Sequence, residues 1–468
     1  MPTHRIGGIR GSRRCSGSAA DRRLGRRAFL VAGAASGVGA VLTACARTVR
    51  TSKGARPQVT TPTVTLVVDY VAPFVGWPET ALSEFSSMFD PWRQQHPGVL
   101  LKVLPNSPYQ GNLEAMLSGT APDIIMDRDV STLVGSKLLA DLTPYLTKDK
   151  VDLSIFNSGQ IVALSPGGHT YGLPAFTNVL VTTVNLGLLD GLGYSHPSPN
   201  WTFTEWATLA RQLTVTSGST PRRGASIFTP TNPNVGGQLF PAESYFRAWG
   251  GAYTDKNLGT TCTLDSTAAI DCANFFFPLM TQKVLAANCL PACFNLALNS
   301  GEPVSMAAEW STPFAAAVAY QGLVWDYYPV PRGPAGSFSF TNRDFLGIWT
   351  GTKQPQLAWD LLFWMSVQPD FQRRMLLYTG YLPPLVSLQH QWIAKVRTVA
   401  PPLQDKNLEV YLETLPTAHP NRQFSVKNVN AEGLMGQWAQ SILEQSTSPT
   451  GGMISLTRQI DALETAGG

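Results

Sequence analysis

Short β-branched apolar runs alternate with amphipathic stretches between Val64 and Met126, and this alternation restricts the fold more than any other feature of the chain. Val64-Thr65-Leu66-Val67-Val68 predicts a buried strand. Thr80–Gln95 then puts Leu82, Phe85, Met88, Phe89 and Trp92 on one helical face, with a kink at Pro91 and a stop at Pro97-Gly98. Val99–Leu104 reads as the next strand, Leu113–Leu117 as a helix ended by Gly119, and Ile124–Met126 as a third strand. Strands joined through helices imply parallel pairing, hence an α/β fold. Leu180–Val184 reads as a strand leaving this first unit. Phe203–Leu213, Ser266–Leu279 with Asp265 as N-cap, Pro355–Val367 and Asp370–Tyr378 read as helices. The last 60 or so residues read as helical in pieces, around Leu408–Leu415 and Ala431–Ser446.

The first 44 residues belong to a different category. Arg26-Arg27-Ala28-Phe29-Leu30 opens an apolar run that ends in Leu42-Thr43-Ala44-Cys45. This resembles a twin-arginine export signal closed by a lipobox, with Gly25 where such signals usually carry Ser or Thr. Ala28–Leu42 is 15 residues, short for the ~30 Å of a bilayer core. The expectation is a signal peptide over 1–44, acylation of Cys45 and a lipid-anchored tether over 45–62. That places the protein outside the cytoplasmic membrane, held to its outer face by lipid alone. The charge balance changes accordingly. The whole chain has 35 Lys and Arg against 31 Asp and Glu; without the eight arginines and one acid before Cys45 the balance is 27 against 30. The basicity belongs to the signal, so no nucleic-acid partner is expected. The remaining length suits two domains in a monomer.

Four cysteines follow the lipobox: Cys262, Cys272, Cys289 and Cys293. In an oxidising compartment they predict one or two disulfides, in any of three pairings. No metal site is expected, since neither spacing is a CxxC and the nearest histidine, His196, lies far upstream. The chain after the signal has no G-x-S-x-G elbow, no H-E-x-x-H and no P-loop. His96, His169, His196, His390 and His419 read as loop or surface positions. An exported glycoside hydrolase with Asp127 and Glu309 as paired carboxylates is the enzymatic alternative, but the same arrangement serves binding. The expectation is a protein that is not an enzyme and carries no cofactor.

A series of short motifs then appears in a fixed order: Gly119-Thr120-Ala121-Pro122-Asp123-Ile124-Ile125, Leu138–Tyr145, Tyr171-Gly172-Leu173-Pro174, Trp201–Trp206, Trp249-Gly250-Gly251, Gly301–Met306 with Glu309-Trp310, Gly347-Ile348-Trp349 with Ala358-Trp359-Asp360, and Gln372 with Thr379–Pro383. The order resembles the family-1 extracellular solute-binding proteins of ABC importers, most of which bind carbohydrates. Ser305 stands where the family usually has Ala, and the four cysteines are outside its pattern. The resemblance covers residues 64–384 and loosens after that. It implies a two-lobe α/β fold of the type II periplasmic-binding-protein kind, with hinge crossings and a ligand cleft between lobes. Lobe one is expected over 63–177 plus 340–383, and lobe two over 178–339 plus 384–468. The implied partners are a carbohydrate, a sugar or oligosaccharide, and the transmembrane subunits of an ABC permease. The alternatives are a non-sugar polar solute or a sensor-coupled binding protein.

Sugars call for amides and carboxylates beside aromatic plates. By position in the family's order, the ligand candidates are Phe74 and Trp77 after the first strand, and Asp127 and Asp129 after the third. Phe176 and Asn178 enter the first crossing, and Trp249 adjoins a glycine pair. Glu309 with Trp310 ends a strand at the expected cleft floor, and Phe345, Trp349 and Tyr381 lie near the later crossings. Arg343 is the nearest cation. Trp359 and Trp364 have helical spacing beside Leu361, Leu362 and Phe363 and read as core.

Overall fold

A computed structural model describes residues 64–71, 85–106, 112–218, 221–227, 241–287, 303–424 and 431–466. Phe74, Trp77, Cys45, Cys289, Cys293 and the expected signal lie outside them. The first sheet has the order β2-β1-β3-β11-β4. β1 (Val64–Val71) runs parallel to β2 (Val99–Asn106) and to β3 (Ile124–Asp127). β11 (Phe345–Ile348) is antiparallel to β3 and to β4 (Leu173–Pro174). The three expected strands are present, and each extends past its sequence boundary. Leu66, Val68 and Tyr70 alternate along β1 and are fully buried against Phe85, Phe89 and Trp92 of the following helical segment.

The second sheet has the order β7-β6-β8-β5-β9. β6 (Arg223–Ile227), β7 (Leu285–Ala287) and β8 (Val304–Trp310) run parallel, while β5 (Leu180–Val184) lies antiparallel to β8 and to β9 (Asp326–Tyr328). The helix Phe203–Leu213 covers it, opened by a capping box in which Thr202 and Glu205 bond each other's backbone N–H. The helix expected from Ser266 begins at Thr267, and its cap is Ser266 rather than Asp265. Ser266 is one residue closer to the first turn, so its Oγ reaches the Ala269 N–H. A two-stranded parallel ribbon, β10 (Ser339–Phe340) with β12 (Ala418–His419), forms its own ladder beside the second sheet, where Ser339 Oγ donates to the Leu180 carbonyl at 2.6 Å.

Gly224 shows how closely the second sheet approaches its covering helix. A Cβ there would sit 1.8 Å from the Ala210 carbonyl oxygen, which is backbone and cannot swing away. Gly224→Ala is therefore expected to push the helix off β6 and cost about 3 kcal/mol, near the upper end for overpacking. A urea midpoint unchanged from the parent would contradict this.

Two large cores result. One contains the first sheet with Trp359, Leu361, Leu362 and Met365 of the helix Pro355–Val367; Trp359 is buried and Trp364 packs at its edge. Leu385, Leu388, Trp392, Val396, Leu408, Tyr411 and Ala418 also pack into this core. The other contains the second sheet with Phe424, Ala431, Met435, Met453 and Ile460. That first core also takes in Val181 of β5 and Tyr327 of β9, and Tyr411 packs on Tyr327 with centroids 5.1 Å apart, so the segment after 384 meets elements of both sheets. Its helices Val386–Val399 and Pro449–Ala466 have no element of their own in the sequence reading. Among the described residues no helix is long and apolar enough to cross a membrane.

Candidate ligand-binding site

Every parallel strand of the first sheet ends on one rim, and the chain passes between the two sheets beside it. Asp127 closes β3 there, opposite Phe345. Its Oδ1 accepts from the N–H groups of Arg128 and Asp129 at 2.7 and 2.9 Å, and its Oδ2 accepts from Asn112 Nδ2 at 2.9 Å. Burial raises its carboxyl above the usual range, opposed by those three bonds. Asp129 caps the helix Val130–Gly135 through the Thr132 N–H at 3.1 Å. Both acids therefore shape the turn at the rim. Arg128 follows, exposed, with Nε 3.7 Å from Asp344 Oδ1, and its carbonyl accepts from Arg343 Nε at 2.8 Å.

The crossings are tied by one side chain. Asn342 Oδ1 accepts from the Asn178 N–H at 2.7 Å and from Gln160 Nε2 at 3.1 Å. Its Nδ2 donates to the Phe176 carbonyl at 3.1 Å and to Asp344 Oδ2 at 2.8 Å. Thr341 Oγ1 donates to the Asn178 carbonyl at 2.6 Å. Thr177 and Leu382 pair as an isolated bridge, which brings the third crossing alongside. There Tyr381 stacks on Phe176 with centroids 4.0 Å apart and planes 9° from parallel. The Asn178 side chain is different: its Oδ1 is buried and has no hydrogen-bond partner among the described residues.

The second sheet meets this group through Ser311, whose N–H donates to the Val179 carbonyl and whose Oγ accepts from the Val179 N–H. Trp310, just before it, is half-buried and packs on Phe340 with centroids 5.1 Å apart. A further link joins the two sides directly. Ser131 Oγ, on the first-lobe helix Val130–Gly135, donates to Gln423 Oε1. Gln423 belongs to a segment bonded to Asn257 and Leu258 of the second core's side.

Asp127, Asp129, Phe176, Asn178, Trp310 and Tyr381 thus come together around the crossings. The other described candidates do not join them. Glu309 precedes Trp310 on β8 and, by strand alternation, points to the opposite face. It is buried there, accepting from Thr183 Oγ1 at 2.7 Å and from the Tyr320 hydroxyl. Phe345 is fully buried against Gly172. Trp349 follows β11 at the end where Ile348 pairs with Ile124, which is the start of β3 and the far edge from the rim. Trp249 packs among Phe203, Phe275 and Phe276. Asn342, Gln160 and Asp344 carry the junction and were absent from the candidates. The polar run Thr341-Asn342-Arg343-Asp344 between two strands was the available signal.

Cys262 and Cys272 are buried free thiols, so the pairing that joins them to each other is not made. Burial pushes Cys262 up to about 11 and Cys272 well above its ordinary value, which makes both poor nucleophiles. Among the described residues no group of His, Cys, Asp and Glu is placed to hold a metal ion.

The strand order and the paired crossings define a two-lobe α/β binding-protein fold. The chain belongs to the bacterial extracellular solute-binding protein family, which it matches over residues 76–367. Solved structures of the same fold include the cyclic α-maltosyl-1,6-maltose binding protein of Arthrobacter globiformis, at TM-score 0.69 and 17% identity, covering 86% of this chain and 100% of that one. An ABC substrate-binding protein of Listeria monocytogenes in complex with cycloalternan has TM-score 0.66 and 18% identity, covering 85% and 98%. UgpB of Mycobacterium tuberculosis in complex with glycerophosphocholine has TM-score 0.64 and 18% identity, covering 85% and 98%.

Proposed function

We propose that this chain is the substrate-binding lipoprotein of an ABC importer, which captures a sugar or oligosaccharide between its lobes and delivers it to a membrane permease. It works as a monomer outside the cytoplasmic membrane, held by a lipid on Cys45, and leaves its ligand chemically unchanged. One observation carries the ligand class. The Asn178 side-chain amide oxygen is buried without a hydrogen-bond partner among the described residues, two residues before Leu180, which pairs with Trp310; Trp310 is half-buried and packs on the buried Phe340. An unmet amide acceptor next to an aromatic face suits a sugar, whose hydroxyls donate and whose C–H face is flat. Hinge closure over the ligand is the two-state element a permease could read. Solved structures of the same fold include a cyclic α-maltosyl-1,6-maltose binding protein and complexes with cycloalternan and mannotriose, which supports this reading. The glycerophosphocholine complex of another keeps a non-sugar polar solute as the second reading.

Trp310→Ala and Asn178→Ala test the assignment by isothermal titration with whichever oligosaccharide binds the parent. Trp310→Ala is expected to weaken binding at least tenfold, and Asn178→Ala about tenfold, consistent with about 1–3 kcal/mol for one buried polar partner. Unchanged affinity in both variants, with the parent's unfolding midpoint, would remove these residues from the site.

A further inference from the structure

The second side of the junction holds more positive charge than its neighbours neutralise. Glu243 and Arg247 lie on the helix Glu243–Ala248, and Arg422 and His419 come from the returning segment beside β12. Glu243 is buried, and backbone groups already engage it: Oε1 accepts from the Tyr253 N–H and Oε2 from the Arg422 N–H. Arg422 Nη1 donates to the carbonyls of Thr254 and Asp255, and its Nε stands 3.7 Å from Glu243 Oε1. Arg247 is left with a 3.7 Å ion pair to the same carboxylate, and its Nε is buried with no hydrogen-bond partner among the described residues. Glu243 is the only acid within ion-pair distance of Arg247 among the described residues. Residues 228–240 and 425–430, which flank this group in sequence, contain no Asp or Glu.

Among the described residues, two arginines share one carboxylate, which leaves a surplus of positive charge in a poorly solvated place. The neighbourhood responds to it. Burial lowers His419 first, and the two guanidiniums lower it further, so the imidazole is held neutral. Burial also lowers Arg247 itself. A guanidinium that shares its one carboxylate with a second arginine, its Nε buried, is costly unless something further compensates it. Arg247 keeps 18% of its side-chain surface exposed, so a small group can reach it.

Its position is at the lobe junction. His419 pairs with Phe340, the residue that packs on Trp310. On its other side is Gly159 of the first-lobe helix Ser158–Leu164, where a Cβ would lie 3.5 Å from His419 Nδ1. Arg422 directly precedes Gln423, which bonds Ser131 of the first lobe. The cationic group is therefore linked to the aromatic pair through the β10–β12 pairing.

We infer that Arg247, supported by Arg422 and His419, forms an anion-binding subsite of the cleft, so that the captured solute carries a phosphate or carboxylate group beside its hydroxylated part. The inference rests on the reading of the junction as a ligand cleft and adds the charge of the ligand. A guanidinium offers paired N–H donors to either anion, and a neutral His419 offers one more donor or acceptor. Arg422 is committed to backbone carbonyls and positions Glu243, while Arg247 has donors to spare.

The test uses the full chain. Its unfolding midpoint is measured with inorganic phosphate against chloride at equal ionic strength, and then with a sugar monophosphate, a uronate and their neutral parent sugars. The expected result is a rise with phosphate, and at least tenfold tighter binding of one anionic sugar than of its parent. Phosphate ester and carboxylate are told apart by which of the two gains. Arg247→Gln should abolish the difference without lowering the ligand-free midpoint, and Arg247→Lys should restore part of it. A preference for the anion that survives in Arg247→Gln overturns the inference, as does equal binding of charged and neutral sugars. The underlying reading fails separately: an Arg247-dependent phosphate response with no binding of any sugar keeps the subsite and sinks the carbohydrate assignment.

Discussion

Glu309→Gln is expected to make the protein more stable than its parent at pH 8 by about 3 kcal/mol, and to leave the two equal near pH 4. Glu309 is buried under the second sheet, and burial raises its carboxyl from 4.5 to about 7, partly offset by bonds from Thr183 and Tyr320. Below pH 4.5 the group is protonated in both the folded and unfolded states, so its contribution to stability is fully present. Between 4.5 and 7 the unfolded chain releases a proton that the folded protein still holds. Stability then falls with rising pH, and the loss is complete above about 7. A change from 4.5 to about 7 corresponds to about 3 kcal/mol, several degrees in midpoint for a chain this size. Glutamine mimics the protonated acid: its oxygen accepts from one hydroxyl and its amide donates to the other. The difference between parent and variant isolates this group from the other carboxyls. Parallel stability curves from pH 4 to pH 8 would show that Glu309 does not carry the effect.

Asn342→Leu is the second large effect, expected to cost about 3–4 kcal/mol and to weaken ligand binding with it. The side chain is buried and makes four hydrogen bonds, at 2.7, 3.1, 3.1 and 2.8 Å, between two crossings, the helix Ser158–Leu164 and Asp344. Leucine fills the same volume and offers no partner, so the Asn178 N–H loses its acceptor in a buried place. Each such loss costs about 1–3 kcal/mol. The bonds join segments that must keep their spacing for the lobes to close in register. Urea unfolding reads the stability cost, and titration of the variant at a temperature where it stays folded reads the binding. A variant that unfolds at the parent's urea midpoint would contradict the assignment of Asn342 as the tie between crossings.

The fold was legible in the sequence because its first unit announces itself by period. Val64–Val68, Val99–Leu104 and Ile124–Met126 are apolar runs between helical stretches, and all three are strands of one sheet. The region after 384 was much less legible. Its helices pack some residues into one core and some into the other, and periodicity reports which face is apolar without reporting which core it meets. The junction between the sheets was legible where position alone decides. Asp127, Asn178 and Trp310 stand at strand ends or crossings, and chain order places those.

Direction within a strand was the weak point. Glu309 and Trp310 are neighbours in sequence and belong to opposite faces of β8; reading them as a pair ignored the two-residue period. Trp349 was assigned by proximity to a crossing, but β11 runs antiparallel to β3, so four residues carry the chain from the rim to the far edge. The cluster of Arg247, Arg422 and His419 could not be seen at all. Its members lie up to 175 positions apart, and only the return of the chain through β12 brings them together. His419 read as a loop or surface position, and it is half-buried on that strand.

The central claim is that the cleft captures a sugar, and thermal unfolding of the full chain against a panel of mono- and oligosaccharides tests it most directly. A ligand held at ~100 times its dissociation constant adds ~2.7 kcal/mol to stability. The account predicts that at least one sugar raises the midpoint by several degrees and is recovered unchanged. No shift from any sugar, or a sugar consumed during the measurement, would contradict it.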